Sequence, residues 1–266
     1  MRGSELREAL RSGRRVYGTH IVSPSPVWVR AIRQSGIDFV FIDTEHCPLD
    51  RTLLSWMCGI YREAGVAPVV RIPSPDPYAA SQVLDGGAVG VIAPYIETGE
   101  QVRDLVGATK LRPIKGERLT KALRDANTLE PELKDYIDKR NADVVLIVNV
   151  ESVPAIEGLD AILAVPELDA VLIGPHDLSC SLGIAEQYRD PRFDKAVQKI
   201  IRRARAKGIG AGIHFSEGID LEIQWARAGA NLILHGADIT LFGRALRSDI
   251  AEIRHALGDD VVRTNG

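Results

Sequence analysis

Short apolar runs rich in β-branched residues alternate with amphipathic stretches along the whole chain. Strands this apolar, each separated from the next by a helix, predict a parallel sheet that is covered on its outer face. Eight such units in about 250 residues fit a (β/α)8 barrel better than an open doubly wound sheet. The predicted strands are residues 15–22, 39–45, 67–73, 90–96, 144–151, 170–177, 209–215 and 231–238.

The connections between these strands carry helical signals. Segments 76–87 and 191–208 open with Asp or Pro and close on Gly, as helices commonly start and stop. The connection between the fourth and fifth strands, 97–143, has 47 residues. We expect it to contain a helix of its own and to lie over an active site. Because no linker or repeat divides the chain, a single domain is predicted over 1–266, with its core at about 15–258.

Composition narrows the class of protein. The chain has 266 residues, 45% hydrophobic and 26% charged, with a net charge of -3, which does not favour a nucleic-acid partner. No apolar stretch reaches the roughly 18 residues that span a membrane. The N-terminus lacks the apolar core of a signal peptide, so a cytoplasmic location is expected. Three cysteines without CxxC spacing argue against a disulfide framework or a zinc knuckle.

Polar side chains collect where the predicted strands end. In a (β/α)8 barrel the carboxyl ends of the strands form the broad concave face, so these side chains should converge on one rim. Buried polar groups are costly unless they are paired or used. The polar side chains at the strand ends are Asp43, Glu45 and His46 at the end of strand 2, Arg71 on strand 3, Asn149 and Glu151 on strand 5, and His176 and Asp177 on strand 6, with His20, His214, His235 and Asp238 on strands 1, 7 and 8.

Each candidate has a functional and a structural interpretation. Glu151 and Asp177, on adjacent strands, could share a divalent cation such as Mg²⁺ or Mn²⁺, or each could cap the helix that follows it. Arg71 could anchor a carboxylate through its planar fork of donors, or pair with Asp43 or Glu45. His46 could be a general base or a structural histidine.

Two classes of enzyme are disfavoured because the sequence lacks the residues that they need. The eight lysines all fall outside the predicted strands, whereas a Schiff-base aldolase built on a barrel needs a desolvated lysine on a strand. The phosphate-binding glycine loops of nucleotide enzymes are also missing, so no nucleotide cofactor is expected.

Five stretches, in this order, resemble the HpcH/HpaI family of metal-dependent pyruvate aldolases, which have a barrel of the phosphoenolpyruvate/pyruvate-binding type. They are "FVFIDTEH", "VVRIP", "QVLDGGAVGVIAPYIET", "VNVES" and "IGPHDLSCSLG". Together they extend over nearly the full chain.

The resemblance implies a role for each matching residue. Glu151 and Asp177 would be the ligands of a divalent ion, Mg²⁺, Mn²⁺ or Co²⁺. His46 would be the catalytic base and Asp85 the carboxylate that orients it. The implied reaction is reversible cleavage of a 4-hydroxy-2-keto acid to pyruvate and an aldehyde, through a metal-stabilised pyruvate enolate. Asp43 and Glu45 would not bind metal or substrate directly but would hold the residues and metal-bound water that do. Substrate would be bound by Arg71, Asn149, Gly174, Pro175 and His176.

This sequence departs from the family pattern around the substrate mouth. Asn149 stands where Gln is common, His176 where Ala is expected, and His20 where an aromatic residue, often Trp, is common. Leu119 replaces a glycine in a stretch that is usually glycine-rich. The aldehyde partner, and the reaction itself, are therefore left open.

The resemblance also implies a homohexamer, a trimer of dimers that exchange the last helix. Here that helix is 239–258, with an apolar face at Leu241, Leu246, Ile250, Ile253 and Leu257. Such a face serves exchange and ordinary self-packing equally well. His255 is expected at an exposed helix end, and the residues after it as a frayed terminus.

Two other functions remain open. One is an acyl-CoA-dependent carbon–carbon bond-forming enzyme, citrate-synthase-like or malyl-CoA-lyase-like, with phosphate contacts from Arg112, Lys115, Arg118 and Lys121. The other is a non-catalytic protein that binds a 2-keto acid.

Overall fold

The computed structural model describes residues 1–259 of the chain, so most of the tail predicted to be frayed, 260–266, lies outside the described residues. Eight parallel strands form a closed barrel in sequence order, which confirms the predicted (β/α)8 fold. The predicted single domain over 1–266 stays a prediction. The strands are β1 (Val16–Ile21), β2 (Phe39–Asp43), β3 (Ala67–Arg71), β4 (Gly90–Ala93), β5 (Val145–Asn149), β6 (Ala170–Ile173), β7 (Gly210–Phe215) and β8 (Leu232–Ala237).

Helices cover the outside of the barrel, and none within residues 1–259 has the length and apolar character needed to cross a bilayer. A 3₁₀ turn, Ala126–Thr128, lies between α6 and α7. The helices are α1 (Gly3–Ser12), α2 (Val27–Gln34), α3 (Arg51–Glu63), α4 (Pro77–Asp85), α5 (Gly99–Lys110), α6 (Gly116–Arg124), α7 (Pro131–Arg140), α8 (Val153–Glu157), α9 (Leu159–Ile162), α10 (Pro175–Ser181), α11 (Pro191–Ala206), α12 (Ile219–Arg227) and α13 (Asp238–Leu257).

Alternation along the strands divides the core into two layers. Outward side chains such as Val40 and Ile42 pack under the helices. Inward side chains fill the barrel, for example Phe39 and Phe41 of β2. Leu6 and Leu10 of α1 join the inner layer, so this helix closes the amino-terminal end of the barrel.

The long connection between β4 and β5 contains helices, as predicted, but the expectation that it lies over the active site is wrong. Its segment 111–143 joins the end of α5 to the start of β5, so it lies at the amino ends of the strands. There the Asn141 amide donates to the carbonyls of Lys110 and Arg112. Leu119 and Leu123 of α6 lie close to Gly107 of α5. Segment 111–143 therefore covers the outer side of the barrel.

Candidate active site

The candidate site is the uppermost inward layer at the carboxyl ends of the strands. Because strand side chains alternate, the position two residues beyond a core residue faces the same interior. Asp43 follows Phe41, Arg71 follows Val69, and Asn149 follows Ile147; His20 and His214 occupy the same level on β1 and β7. A cavity of about 550 Å³ opens here. Its lining includes His20, Asp43, His46, Arg71, Asn149, Gly174, His176, Asp177, Tyr188, His214 and Glu217.

Asp43 and Arg71 form a bidentate ion pair between β2 and β3. The register places these two residues opposite each other. Arg71 Nε donates to Asp43 Oδ1 at 2.8 Å and Nη2 donates to Oδ2 at 2.7 Å, and Asp43 is only 1% exposed. Burial alone would raise the pKa of Asp43, but the hydrogen bonds and charge of Arg71 outweigh it, so the pKa lies below its ordinary value. Arg71 therefore forms the structural ion pair with Asp43 through the edge of its guanidinium that carries Nε and Nη2.

The turn after β2 places Glu45 and His46 beside this pair. Their backbone N–H groups donate to the two oxygens of Asp43, at 3.0 and 3.3 Å. Glu45 Oε2 lies 3.2 Å from Arg71 Nε, yet among residues 1–259 it has no partner in hydrogen-bond geometry. His46 Nε2 is 3.6 Å from Glu45 Oε1, and the imidazole is 66% exposed at the mouth of the cavity. The imidazole can therefore reach a bound molecule.

Across the cavity, Glu151 and Asp177 present carboxylates of a different kind. Glu151 is 5% exposed; its Oε1 accepts from the Tyr95 N–H at 2.8 Å and its Oε2 accepts from Asn149 Nδ2 at 2.9 Å. Burial raises the pKa of Glu151 above its ordinary value, and the charge of Asp177 adds to that rise against the effect of the Tyr95 N–H. Within residues 1–259, the carboxylate of Glu151 has no cationic partner comparable to the one that Asp43 has in Arg71.

Neither carboxylate caps a helix. Helix α10 has Gly174 as its N-cap and makes no side-chain capping bond, while Asp177 lies within its first turn. Helix α8 is capped by Ser152, which accepts from the Ala155 N–H. The structural alternative for Glu151 and Asp177 is therefore wrong.

Gly174 allows the two carboxylates to converge. A Cβ at this position would lie 2.3 Å from Glu151 Oε2 and 3.4 Å from Asp177 Oδ2, so those two oxygens are no further apart than the sum of these distances. Asn149 Oδ1 is buried nearby with no hydrogen-bond partner in the described part of the chain. Two converging carboxylates and an unpartnered amide oxygen suit a hard divalent cation, which prefers oxygen ligands.

A second cluster places ligand-type atoms close together without the same fit. Atoms of His20, Asp43 and Cys47 all lie within 4.8 Å of one another. Asp43, however, already accepts four hydrogen bonds from Arg71 and the turn that follows. Burial lowers the pKa of His20 and raises that of Cys47, which disfavours the charged form of each. This cluster is internally satisfied, and the Arg71 guanidinium beside it disfavours a cation.

Tyr95 is a site residue that the sequence did not single out. It lies two residues beyond β4 and has a positive φ of 55°, which is uncommon for a residue with a side chain. Its backbone N–H holds Glu151 and its hydroxyl donates to Glu45 Oε1. Hydrogen bonding to Glu45 raises the pKa of Tyr95 to about 12. A tyrosine after an apolar strand is too common to reveal this bridge in advance.

The structure does not bring Asp85 to His46. Asp85 ends α4, which runs back toward the amino ends of the strands, and its carboxylate pairs with Arg112. The prediction that Asp85 orients His46 is therefore wrong within one chain, because the two residues lie at opposite ends of the barrel. Such a role would require Asp85 from a second copy of the protein.

Two other candidates at strand ends also face away from the cavity. His235 points outward and its Nδ1 lies 2.9 Å from Glu222 Oε2 of α12. Asp238 accepts from the N–H groups of Val22 and Ser23. Both connect structural elements instead of lining the site.

The fold and the rim together define a class of protein: a (β/α)8 barrel with two converging carboxylates and an arginine at the carboxyl ends of its strands. Within that class, the chain belongs to the HpcH/HpaI aldolase/citrate lyase family, whose sequence model matches residues 17–245. The family indicated by the sequence motifs is thus confirmed.

Named relatives extend over nearly the whole chain. The hydroxypyruvate/pyruvate aldolase of Roseovarius nubinhibens is 31% identical over 249 residues, covering 94% of this chain and 96% of that protein. A 2-keto-3-deoxy-L-rhamnonate aldolase of Escherichia coli is 33% identical over 246 residues, covering 92% of this chain and 91% of that protein.

Solved structures show the same fold. An HpcH/HpaI aldolase of Desulfitobacterium hafniense superposes with a TM-score of 0.81 at 26% identity, covering 98% of this chain and 99% of that one. The citrate synthase SbnG superposes with a TM-score of 0.80 at 29% identity, covering 94% of this chain and 98% of that one.

Proposed function

We propose that this protein is a divalent-metal-dependent pyruvate aldolase, a carbon–carbon lyase that cleaves 4-hydroxy-2-keto acids reversibly to pyruvate and an aldehyde. The observation that carries the proposal is the convergence of Glu151 and Asp177 at Gly174, close enough to Arg71 for the charge of Glu151 to act on that guanidinium. The relatives named as pyruvate and sugar-acid aldolases support the same reaction class.

Arg71 binds the carboxylate of the keto acid. Its Nε and Nη2 atoms are held by Asp43, and within residues 1–259 no hydrogen bond is formed by Nη1. The pairing thus fixes the plane of the guanidinium and leaves one edge for substrate. A fixed planar donor of this kind recognises a carboxylate with defined orientation.

Glu151 and Asp177 hold the divalent cation, which when bound supplies Lewis-acid polarisation of the keto group, typically worth several kcal/mol. Mg²⁺, Mn²⁺ and Co²⁺ all suit these oxygen donors. The Asn149 amide holds one oxygen of Glu151 and presents its unpartnered oxygen at the same place. Gly174 and Pro175 keep the approach to both carboxylates free of bulky side chains.

His46 is the general base. It takes the proton of the substrate 4-hydroxyl as the C3–C4 bond breaks, and the electron pair of that bond passes to C3 as the pyruvate enolate. The aldehyde leaves, and return of a proton to C3 gives pyruvate. Glu45, 3.6 Å from His46 Nε2, places a negative charge beside the imidazolium so formed.

An acyl-CoA-dependent reaction has weaker support, although the citrate synthase SbnG is similar in structure. Arg112, Arg118 and Lys121 pair with Asp85, Glu130 and Glu117. The segment that carries them lies away from the rim, so these residues are poorly placed to bind the phosphates of a thioester whose acyl group reaches Asp177. Competition by CoA esters tests this alternative.

The C-terminal helix supports a homo-oligomer. Helix α13 leaves the barrel after its first turn. Leu241 and Phe242, near its start, lie close to Gly236 and Trp28 of the same chain. Further along, Leu246, Ile250, Ile253 and Leu257 are exposed, which favours exchange between subunits in a hexamer. Light scattering on a Phe242→Ser, Ile250→Ser double variant should show a smaller particle than the parent. A cytoplasmic location stays a prediction.

The decisive experiment is a pyruvate-release assay with oxaloacetate and several 4-hydroxy-2-keto acids. We expect turnover with Mg²⁺, Mn²⁺ or Co²⁺ that stops on addition of EDTA, and near-complete loss in Asp177→Ala and Arg71→Ala. Turnover that survives EDTA, or that is indifferent to both substitutions, contradicts the proposal. Binding of pyruvate without any turnover would instead favour the non-catalytic alternative.

A further inference from the structure

A second cavity of about 480 Å³ adjoins the active-site cavity. The two cavities share Tyr188, Phe215 and Glu217 as a common wall. On one side of this wall lie Arg71 and Asp177, where the keto acid is proposed to bind. On the other side the second cavity widens toward Glu186, Gln187 and Arg189. The two cavities therefore meet at Tyr188, Phe215 and Glu217.

Tyr188 is fixed at the junction of these spaces. Its ring packs against Phe193 and Phe215, with centroids 5.4 and 5.3 Å away, so the phenol cannot swing freely. Burial raises the pKa of Tyr188, and nearby carboxylates raise it further, so the hydroxyl keeps its proton. In the described part of the chain this hydroxyl has no hydrogen-bond partner. It is therefore a donor that is available to a ligand.

The charges around the junction are negative. Glu186 and Glu217 line the second cavity, and both act electrostatically on Tyr188. Arg189, which also lines the second cavity, pairs with Asp220 at 2.9 Å, so a third carboxylate offsets its charge. His176 Nδ1 lies 3.5 Å from Glu186 Oε1. An anionic ligand at this junction would be repelled by the carboxylates of Glu186 and Glu217. A ligand hydroxyl group could instead exchange hydrogen bonds with these carboxylates, with the Tyr188 phenol and with the His176 imidazole.

We propose that the space between Tyr188 and Glu217 is the acceptor-aldehyde subsite and that it selects uncharged, hydroxyl-bearing aldehydes over anionic ones. This inference rests on the proposed function and adds the chemical class of the second substrate. Glu217 and Glu186 discriminate by charge repulsion, and Tyr188 donates to a hydroxyl of the acceptor.

The test compares acceptors of matched size. Glycolaldehyde and glyoxylate differ chiefly in the charge beside the aldehyde, and D-glyceraldehyde and succinate semialdehyde form a longer pair. The ratio of kcat/KM values within each pair is measured for the parent, Glu217→Gln, Glu217→Lys and Tyr188→Phe. Glu63→Gln, an exposed carboxylate change at the far end of α3, is the matched control.

We expect the parent to favour the uncharged member of each pair. Glu217→Lys should shift the ratio toward the anion by about tenfold and Glu217→Gln by about threefold, since each unit of charge changed at this range is worth about a threefold change, roughly 0.7 kcal/mol, in a partly wetted site. Tyr188→Phe should reduce the preference for glycolaldehyde over acetaldehyde. The effect of Glu217→Lys should weaken with added salt.

Exchange of the pyruvate methyl protons for deuterium separates the two ideas, because it reports enolate formation without an acceptor. Suppose that Glu217→Lys and Glu217→Gln exchange the methyl protons at the parent rate, and that their kcat/KM ratios within each acceptor pair stay within twofold of those of Glu63→Gln. That result overturns the proposed subsite and leaves the proposed function standing. A parent that prefers glyoxylate also overturns it. Absence of exchange in the parent overturns the proposed function itself.

Discussion

Two pairs of carboxylates face each other across the rim, and they differ in what neutralises them. On the β2–β3 side, Asp43 accepts four hydrogen bonds, two of them from Arg71. On the β5–β6 side, Glu151 accepts from two uncharged groups and faces a second carboxylate, Asp177. The pKa of Asp43 is lowered and that of Glu151 is raised.

The difference indicates which carboxylates serve the fold and which are available to a ligand. A buried carboxylate with a bidentate guanidinium is complete, and removing its partner leaves an uncompensated charge. A buried carboxylate beside another carboxylate is incomplete, because the repulsion has to be relieved by a proton or a cation. The same residue type is therefore paired within the fold on one side of the cavity, and on the other side it has the role of cation ligand that we propose.

The largest effect is expected on the incomplete side. Glu151→Gln and Asp177→Asn should each lower kcat/KM by about a thousandfold, since roughly 4 kcal/mol of Lewis-acid stabilisation is lost with the cation. Manganese binding followed by electron paramagnetic resonance should weaken in parallel. The free energy of unfolding without metal should stay the same or rise in Glu151→Gln, because a buried charge is removed. Unchanged manganese affinity would contradict the assignment, and Glu63→Gln is the control.

On the β2–β3 side, breaking the Asp43–Arg71 ion pair should lower the free energy of unfolding. Arg71→Met leaves the buried charge of Asp43 unpaired, and the expected loss in the free energy of unfolding is about 3–5 kcal/mol. Urea denaturation without metal measures it. Adding Asp43→Asn to Arg71→Met should restore part of the loss, because the unpaired charge is then gone. A single variant as stable as the parent would show that the pair contributes little.

Acid should destabilise the protein because His214, which lines the cavity, is harder to protonate in the folded chain than in the unfolded chain. His214 is half-buried inside the barrel, and loss of solvation there lowers its pKa to about 4 from the ordinary 6.5. Between these values the unfolded chain binds a proton that the folded chain does not, so stability is complete above pH 6.5 and falls as the pH drops. At pH 5 the loss should be about 2 kcal/mol. Urea denaturation at pH 7 and pH 5 should show this loss in the parent and a smaller loss in His214→Gln; equal losses would rule it out.

The smallest effect is expected at Tyr95, which links the two sides. Tyr95→Phe removes the hydrogen bond to Glu45 but keeps the backbone N–H that holds Glu151. The expected loss is about 1 kcal/mol, or roughly fivefold in kcat/KM, with manganese affinity unchanged. Tyr78→Phe, at an exposed tyrosine of α4, is the matched control. If Tyr95→Phe instead lost more manganese affinity than activity, the Tyr95 hydroxyl would act on the Glu151–Asp177 side of the cavity, contrary to this prediction.

Some expectations from the sequence failed for a common reason. Connection 97–143 is expected from its length to lie over the active site, and Asp85 to orient His46, yet segment 111–143 and Asp85 lie toward the amino ends of the strands. The first expectation is wrong, and the second is wrong within one chain. A helix returns the chain to the opposite end of the barrel, so nearness in sequence to a strand does not give nearness to the rim. Tyr95 was missed because its role depends on a backbone conformation with positive φ, for which tyrosine gives no signal.

The sequence by itself determined the eight strands and the residues that meet at the rim, because alternation along a strand and the direction of a parallel barrel are local properties. Only the tertiary structure decided which carboxylate is paired and which is not. Register brings Arg71 opposite Asp43, and Gly174 leaves room for Glu151 and Asp177 to approach each other. Charge pairing depends on distances between strands, and those distances are set when the barrel closes.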